Sequence, residues 1–260
     1  MVKNKLNLSI YGFTLAEVLI TLGIIGIVAA LTIPTLIKTY EKQTVITSLQ
    51  KFNSTMHQAI KASEAENGQI QTWNFPATDW GGAPANLTVD FLNTYILPYL
   101  RVARRCDLAT TTECWNNVLR PDGVSTTVLR YTNAAIAKYA MQDGTEIVFL
   151  SYIAADGTGV IQVLVDINGA KQPNTLGKDV FVFIIAQKAS NNLNGGNGDM
   201  ASQVKNGGFY PDGYGINLSG GNYNFRGCGK NVNYTYAGSY CAAKIINDGW
   251  QIKSDYPFFN

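Results

Sequence analysis

Histidine is almost missing from this chain: His57 is the single copy among 260 residues. Cysteine occurs four times, as Cys106, Cys114, Cys228 and Cys241, and never as a C-x-x-C pair. A structural zinc site therefore lacks ligands at the usual spacing. A histidine-dependent triad would have to draw on His57, which lies in a helical segment far from any strand-end serine. No G-x-S-x-G, P-loop or zinc-ligand cluster is present. These gaps point away from an enzyme and imply no cofactor. Charge is scarce too, with 15% Asp, Glu, Lys and Arg and a net charge of +2. That balance does not mark a nucleic-acid or membrane-surface binder. Gly, Asn, Thr and Tyr supply polar character instead, and 46% hydrophobic residues are enough for a true core.

The even cysteine count and the two close pairs fit an oxidising compartment. Of three connectivities, the pairing of sequence neighbours, Cys106–Cys114 and Cys228–Cys241, is expected. Four free buried thiols are the alternative.

From Phe13 to Ile37 the chain carries one charge, Glu17, in 25 residues. As a helix this run spans about 37 Å at ~1.5 Å per residue, enough to cross a bilayer. Lys3 and Lys5 precede it, which favours a cytoplasmic tail and an extracytoplasmic remainder. An acid inside a membrane costs on the order of 3 kcal/mol, so Glu17 calls for a partner unless it reaches the interface. An ordinary signal peptide, cut after Val28-Ala29-Ala30, explains the basic start and the apolar run but not Glu17. An uncut single-pass anchor is the third reading.

The segment Gly12-Phe13-Thr14-Leu15-Ala16-Glu17-Val18 resembles the prepilin processing motif: a basic leader ending in Gly, then Phe, then Glu four residues beyond. Pro34 also falls where many pilins carry a proline. On residues 6–40 the chain is thus similar to type IV pilins and type II secretion pseudopilins. The resemblance implies cleavage by a prepilin peptidase between Gly12 and Phe13, then methylation of the Phe13 amine. It further implies that Glu17 pairs with the Phe13 amine of a neighbouring subunit during assembly. Implied partners are membrane lipid, other pilin or pseudopilin subunits and an inner-membrane assembly platform. The implied location is the bacterial inner membrane, single-pass, and afterwards a filament.

Val45, Leu49, Phe52, Met56 and Ile60 form one apolar helical face. Asn67-Gly68 reads as its stop, so one helix is expected from about Phe13 to Glu66, kinked or locally unwound at Pro34. A short helix capped by Asp90 and ended near Pro98 follows. Strands at 139–142, 145–152, 160–167 and 180–186 are joined by the turns Asp143-Gly144 and Asp156-Gly157 and imply an antiparallel sheet. One face of that sheet is expected to cover the amphipathic half of the helix. Between the last two strands, Asp166, Asn168 and Asp179 lie in a D-x-N-G loop. It lacks the EF-hand pattern, since Lys171 and Gly177 stand where Gly and Glu would be needed. An Asx-turn loop is the favoured reading, and a looser calcium site is the alternative. Residues 190–240 are rich in Gly, Asn, Ser and Tyr, as loops are.

The expectation is an α+β, pilin-like fold. Residues 1–12 form the leader, 13–37 the transmembrane and assembly helix, 38–68 its amphipathic continuation and 69–260 the head. The function expected is that of a filament subunit. A minor pilin or anchored adhesin is the runner-up, with Tyr210, Tyr214 and Tyr223 as exposed aromatics that could contact a ligand.

Overall fold

The computed structural model describes residues 12–76, 85–106, 114, 118–124, 136–169, 171–191, 193, 202–218, 226–229 and 236–259. The leader up to residue 11 and Tyr223 lie outside them. The chain divides into two compact units, residues 1–41 and 42–260.

Helix α1 runs Leu15–Asn67, 53 residues. It begins two residues later than expected, at a cap described below. It also continues through Pro34 without an unwound turn. A proline removes one backbone hydrogen bond, and the remaining ladder carries the helix past that gap. In the first unit the large side chains face outward, with Leu19, Ile25 and Leu31 all at least 60% exposed.

In the second unit α1 buries Val45, Leu49, Phe52, Met56, Ala59 and Ile60. The stripe recurs every three or four residues because a helix repeats at 3.6. Each large member contributes roughly 1.5–3 kcal/mol by leaving water. The stripe rests on a six-stranded antiparallel sheet of order β1-β3-β4-β5-β7-β8. Its strands are β1 (Val102–Arg105), β3 (Ile136–Met141), β4 (Glu146–Ile153), β5 (Gly159–Asp166), β7 (Val180–Ala186) and β8 (Gly208–Pro211). Phe52 meets Phe183 and Phe209 edge-on at 5.3 and 6.0 Å, and those two rings stack at 4.9 Å. His57 stands edge-on to Phe209 at 5.5 Å and serves packing.

The sheet is covered on both faces. Every residue of β5 and β7 is buried. The second face packs Val148, Leu164 and Val182 against Val118 and Leu176, and Tyr152, Val160 and Ile184 against Leu193 and Val204. Strands buried on both sides read as continuous apolar runs, as Val-Ile-Gln-Val-Leu-Val and Val-Phe-Val-Phe-Ile-Ile do.

Helix α2 runs Ala85–Tyr95. Asp90 is therefore mid-helix and not its cap. The helix starts five residues upstream because Val89, Phe91, Leu92 and the following Ile96 already form a buried face against the core. A two-stranded parallel pair, β2 (Val118–Leu119) with β6 (Asn174–Thr175), and a short α3 (Cys241–Asn247) complete the described elements.

Two disulfides are formed, Cys106–Cys114 and Cys228–Cys241, with Cα separations of 5.9 and 4.7 Å. The second ties the loop-rich C-terminal region to the first residue of α3, inside the main core. Gly177, at φ +82°, lies so close that an added Cβ would sit 2.3 Å from Cys241 Sγ. Replacing Cys228 and Cys241 together by alanine should cost about 3 kcal/mol, given a closed loop spanning a sequence separation of 13. Thermal melting of the oxidised variant should fall by roughly 6–12 °C. An unchanged melting temperature would show that the bridge holds nothing the core does not.

Candidate functional site

The first candidate is the start of α1. The Thr14 backbone N–H and its hydroxyl both donate to Glu17 Oε2 at 2.8 Å, and the Glu17 N–H donates to Thr14 Oγ1 at 3.2 Å. This is a capping box: a threonine and a glutamate three residues apart satisfy each other's orphaned backbone donors. The sequence reading missed it, although Thr14-x-x-Glu17 is its signature. The box gives Glu17 a local role. It engages one carboxylate oxygen and leaves the charge in place. Phe13 is 87% exposed beside it. Gly12, Phe13 and Glu17 thus cluster at the head of the helix, and Pro34 lies far along it.

The helix that follows is apolar over an 18-residue window of mean hydropathy 2.3, none of it buried. Its length and composition suffice to cross a membrane. No Cβ added at Gly23 or Gly26 would meet an atom within 4 Å, so these small positions are open to a neighbour.

The second candidate is the loop between β5 and β7. Here Asp166, Asn168 and Asp179 do come together. Asp166 Oδ1 accepts from the backbone N–H groups of Asn168 and Gly169, both at 3.0 Å. Asn168 Nδ2 donates to Asp179 Oδ2 at 3.2 Å, and the Thr175 N–H donates to Asp179 Oδ1. Asp166 Oδ2 is buried and has no hydrogen-bond partner among the described residues. Burial pushes the Asp166 carboxyl up to about 7, against the two backbone donors, with Asp179 and Glu146 raising it further. Burial likewise raises Asp179 to about 6, against the Thr175 N–H and the neighbouring Lys178.

Calcium takes six to eight oxygen ligands. In this loop, donors already occupy three of the four carboxylate oxygens. Among the described residues, no group of three or more His, Cys, Asp or Glu side chains is placed to hold a metal. The hydrogen bonding of this loop is local. It fits an Asx turn that folds the Asn168-Gly169 backbone onto the end of β5.

The fold and these sites define an α+β protein with one helix long and apolar enough to span a membrane near its N-terminus. The chain belongs to DUF6613, a family of unknown function, whose match covers residues 35–259. That match takes in the second unit and leaves the Gly12–Glu17 segment to its own chemistry. Comparisons with curated proteins and with solved structures find no match.

Proposed function

We propose that this chain is a non-catalytic, structural subunit of a type IV pilus-like or type II secretion pseudopilus filament. Its pilin-like α+β head is held outside the inner membrane by α1, and subunits associate through the exposed apolar half of that helix. A prepilin peptidase cuts between Gly12 and Phe13 and methylates the Phe13 amine. Glu17 then pairs with that amine on an adjacent subunit.

The observation that carries this reading is a single carboxylate placed just past a Gly-Phe junction, at the head of an apolar helix, with no partner among the described residues beyond Thr14. An acid at membrane depth needs a counter-charge. Cleavage would create one, the new ammonium, at about the same depth. The exposed large side chains from Val18 to Ile37 need cover from lipid or from copies of the same helix.

The mature N-terminus tests the proposal most directly. Mass spectrometry of protein purified from membranes should find N-methylated Phe13. Retention of Met1 would leave a tethered domain, and a new start at Leu31 would leave an exported one. Either result ends the filament reading.

A further inference from the structure

The loop between β5 and β7 holds more acceptors than donors. Asp166 is wholly buried, and two backbone N–H groups hold its Oδ1. With one oxygen pinned twice, the carboxylate cannot turn. Its Oδ2 is fixed in place without a hydrogen-bond partner among the described residues. Asn174, 1% exposed, repeats the pattern: its Oδ1 is buried and equally bare among those residues. Buried acceptors left unsatisfied are rare in folded proteins, and each calls for an explanation.

A continuous chain of bonds gathers these groups. Asn168 Nδ2 donates to Asp179 Oδ2, and the Thr175 N–H, next along from Asn174, donates to Asp179 Oδ1. The Ile167 N–H donates to the Asp179 carbonyl at 2.9 Å, which ties the end of β5 to the start of β7. Gly169, at φ +64°, seats the turn tightly on the β3–β4 hairpin. A Cβ there would lie 2.2 Å from the Gly144 carbonyl.

Charge is unbalanced at the same place. Glu146 stands directly opposite Asp166 in the β4–β5 ladder. Three carboxylates thus share one end of the sheet. Among the described residues, no Lys or Arg forms an ion pair with any of them. Arg104, Lys138 and Lys178 act on them only from beyond that distance.

We infer that this loop binds a calcium ion through Asp166 and Asp179, with Asn174 Oδ1 as a neutral ligand. Two carboxylates balance the ion's charge, so a cage of three acids is not required. Backbone and water oxygens complete a shell of six to eight. The N–H donors do not block the ion. Each carboxylate oxygen carries two lone pairs, and Asp166 Oδ2 keeps both of its own. The Asx turn uses one oxygen of Asp166 and presents the other. A water molecule satisfies a bare acceptor but leaves the charge uncompensated. Magnesium fits less well, because it keeps its own waters and demands near-ideal octahedral geometry. Glu146 draws the ion in without serving as a ligand. The site lies wholly in the second unit and stands whether or not the chain builds filaments.

The test is titration of calcium chloride into the full-length protein, in detergent at pH 8 after treatment with EDTA. One ion per chain should bind with a Kd of about 0.1–1 mM. At about ten times that Kd or more, melting should rise by about 5 °C. Magnesium chloride at equal concentration should give less than half of that rise. Asp166→Asn keeps an acceptor for the Asn168 and Gly169 N–H groups, so it should fold and yet lose the calcium response. Asp179→Asn should lose it as well. Asp156→Asn alters the neighbouring Asx turn, where Asp156 Oδ1 accepts the Thr158 N–H, and should keep the full response. Three results would each overturn the assignment: no calcium heat or melting shift in the parent, a shift retained in Asp166→Asn, or an equal shift with magnesium.

Discussion

Glu17→Gln should abolish filaments while leaving the anchor helix formed, inserted and processed. Glutamine serves at the third position of a capping box as glutamate does, so the bonds with Thr14 survive the exchange. Only the charge is removed. Insertion should become easier, since the carboxylate costs on the order of 3 kcal/mol inside a bilayer. If the charge serves assembly, sheared filaments measured by immunoblot should fall at least tenfold, with the level of cleaved protein in membranes unchanged. Thr14→Ala is the complementary variant. It removes the cap, worth about 1 kcal/mol, and keeps the charge. Filaments should persist there. Normal filaments from Glu17→Gln, or loss only in Thr14→Ala, would reduce Glu17 to a helix cap.

The second large effect concerns acidity. Asp166 and Asp179 are held at about 7 and about 6, against an ordinary value near 3.9. The folded chain therefore keeps protons that the unfolded chain gives up. Their contribution is fully present below about pH 4 and is lost as pH rises through 6 and 7. Glu146, which pairs with Asp166 across β4 and β5, adds repulsion on Asp166 from the sheet side, and Lys178 partly offsets the rise of Asp179 from the loop side. Stability should fall by roughly 2–4 kcal/mol between pH 5 and pH 8. Asp166→Asn removes the buried charge and should flatten that dependence, leaving the variant more stable than the parent at pH 8. Chemical denaturation across this range would show it. A parent whose stability rises steadily to pH 8 would refute the buried-proton account. If the loop is an Asx turn alone, calcium should not restore stability at pH 8.

Much of this was legible beforehand where a single period governed. The four central strands, the helical stripe from Val45 to Ile60 and the adjacent cysteine pairs all followed from spacing. Asp90 misled because an acid before an apolar run imitates a cap, whereas the burial of Val89, Phe91, Leu92 and Ile96 decides where α2 begins. The edge strands β1 and β8 were missed. Val102-Ala-Arg-Arg105 and Gly208-Phe-Tyr-Pro211 are four residues each and owe their extension to neighbours in the sheet, not to their own pattern. The covering of the second sheet face was hidden for a similar reason. Its lids, such as Leu176, Leu193 and Val204, are isolated apolar residues in loops. The loop acids were picked out from sequence, but the sharing of donors between them depends on backbone geometry no motif encodes.

The outer margin of β1 has a further meaning. Ala103, Arg104 and Arg105 are exposed there, and among the described residues no strand lies beyond them. Bare strand margins crowded along a fibre would tend to zip into one another, chain after chain, without regard to order. Two guanidinium groups on that rim, with an irregularity in pairing between Val102 and Arg104, discourage such fusion. Edge-to-edge growth through this margin is thereby disfavoured.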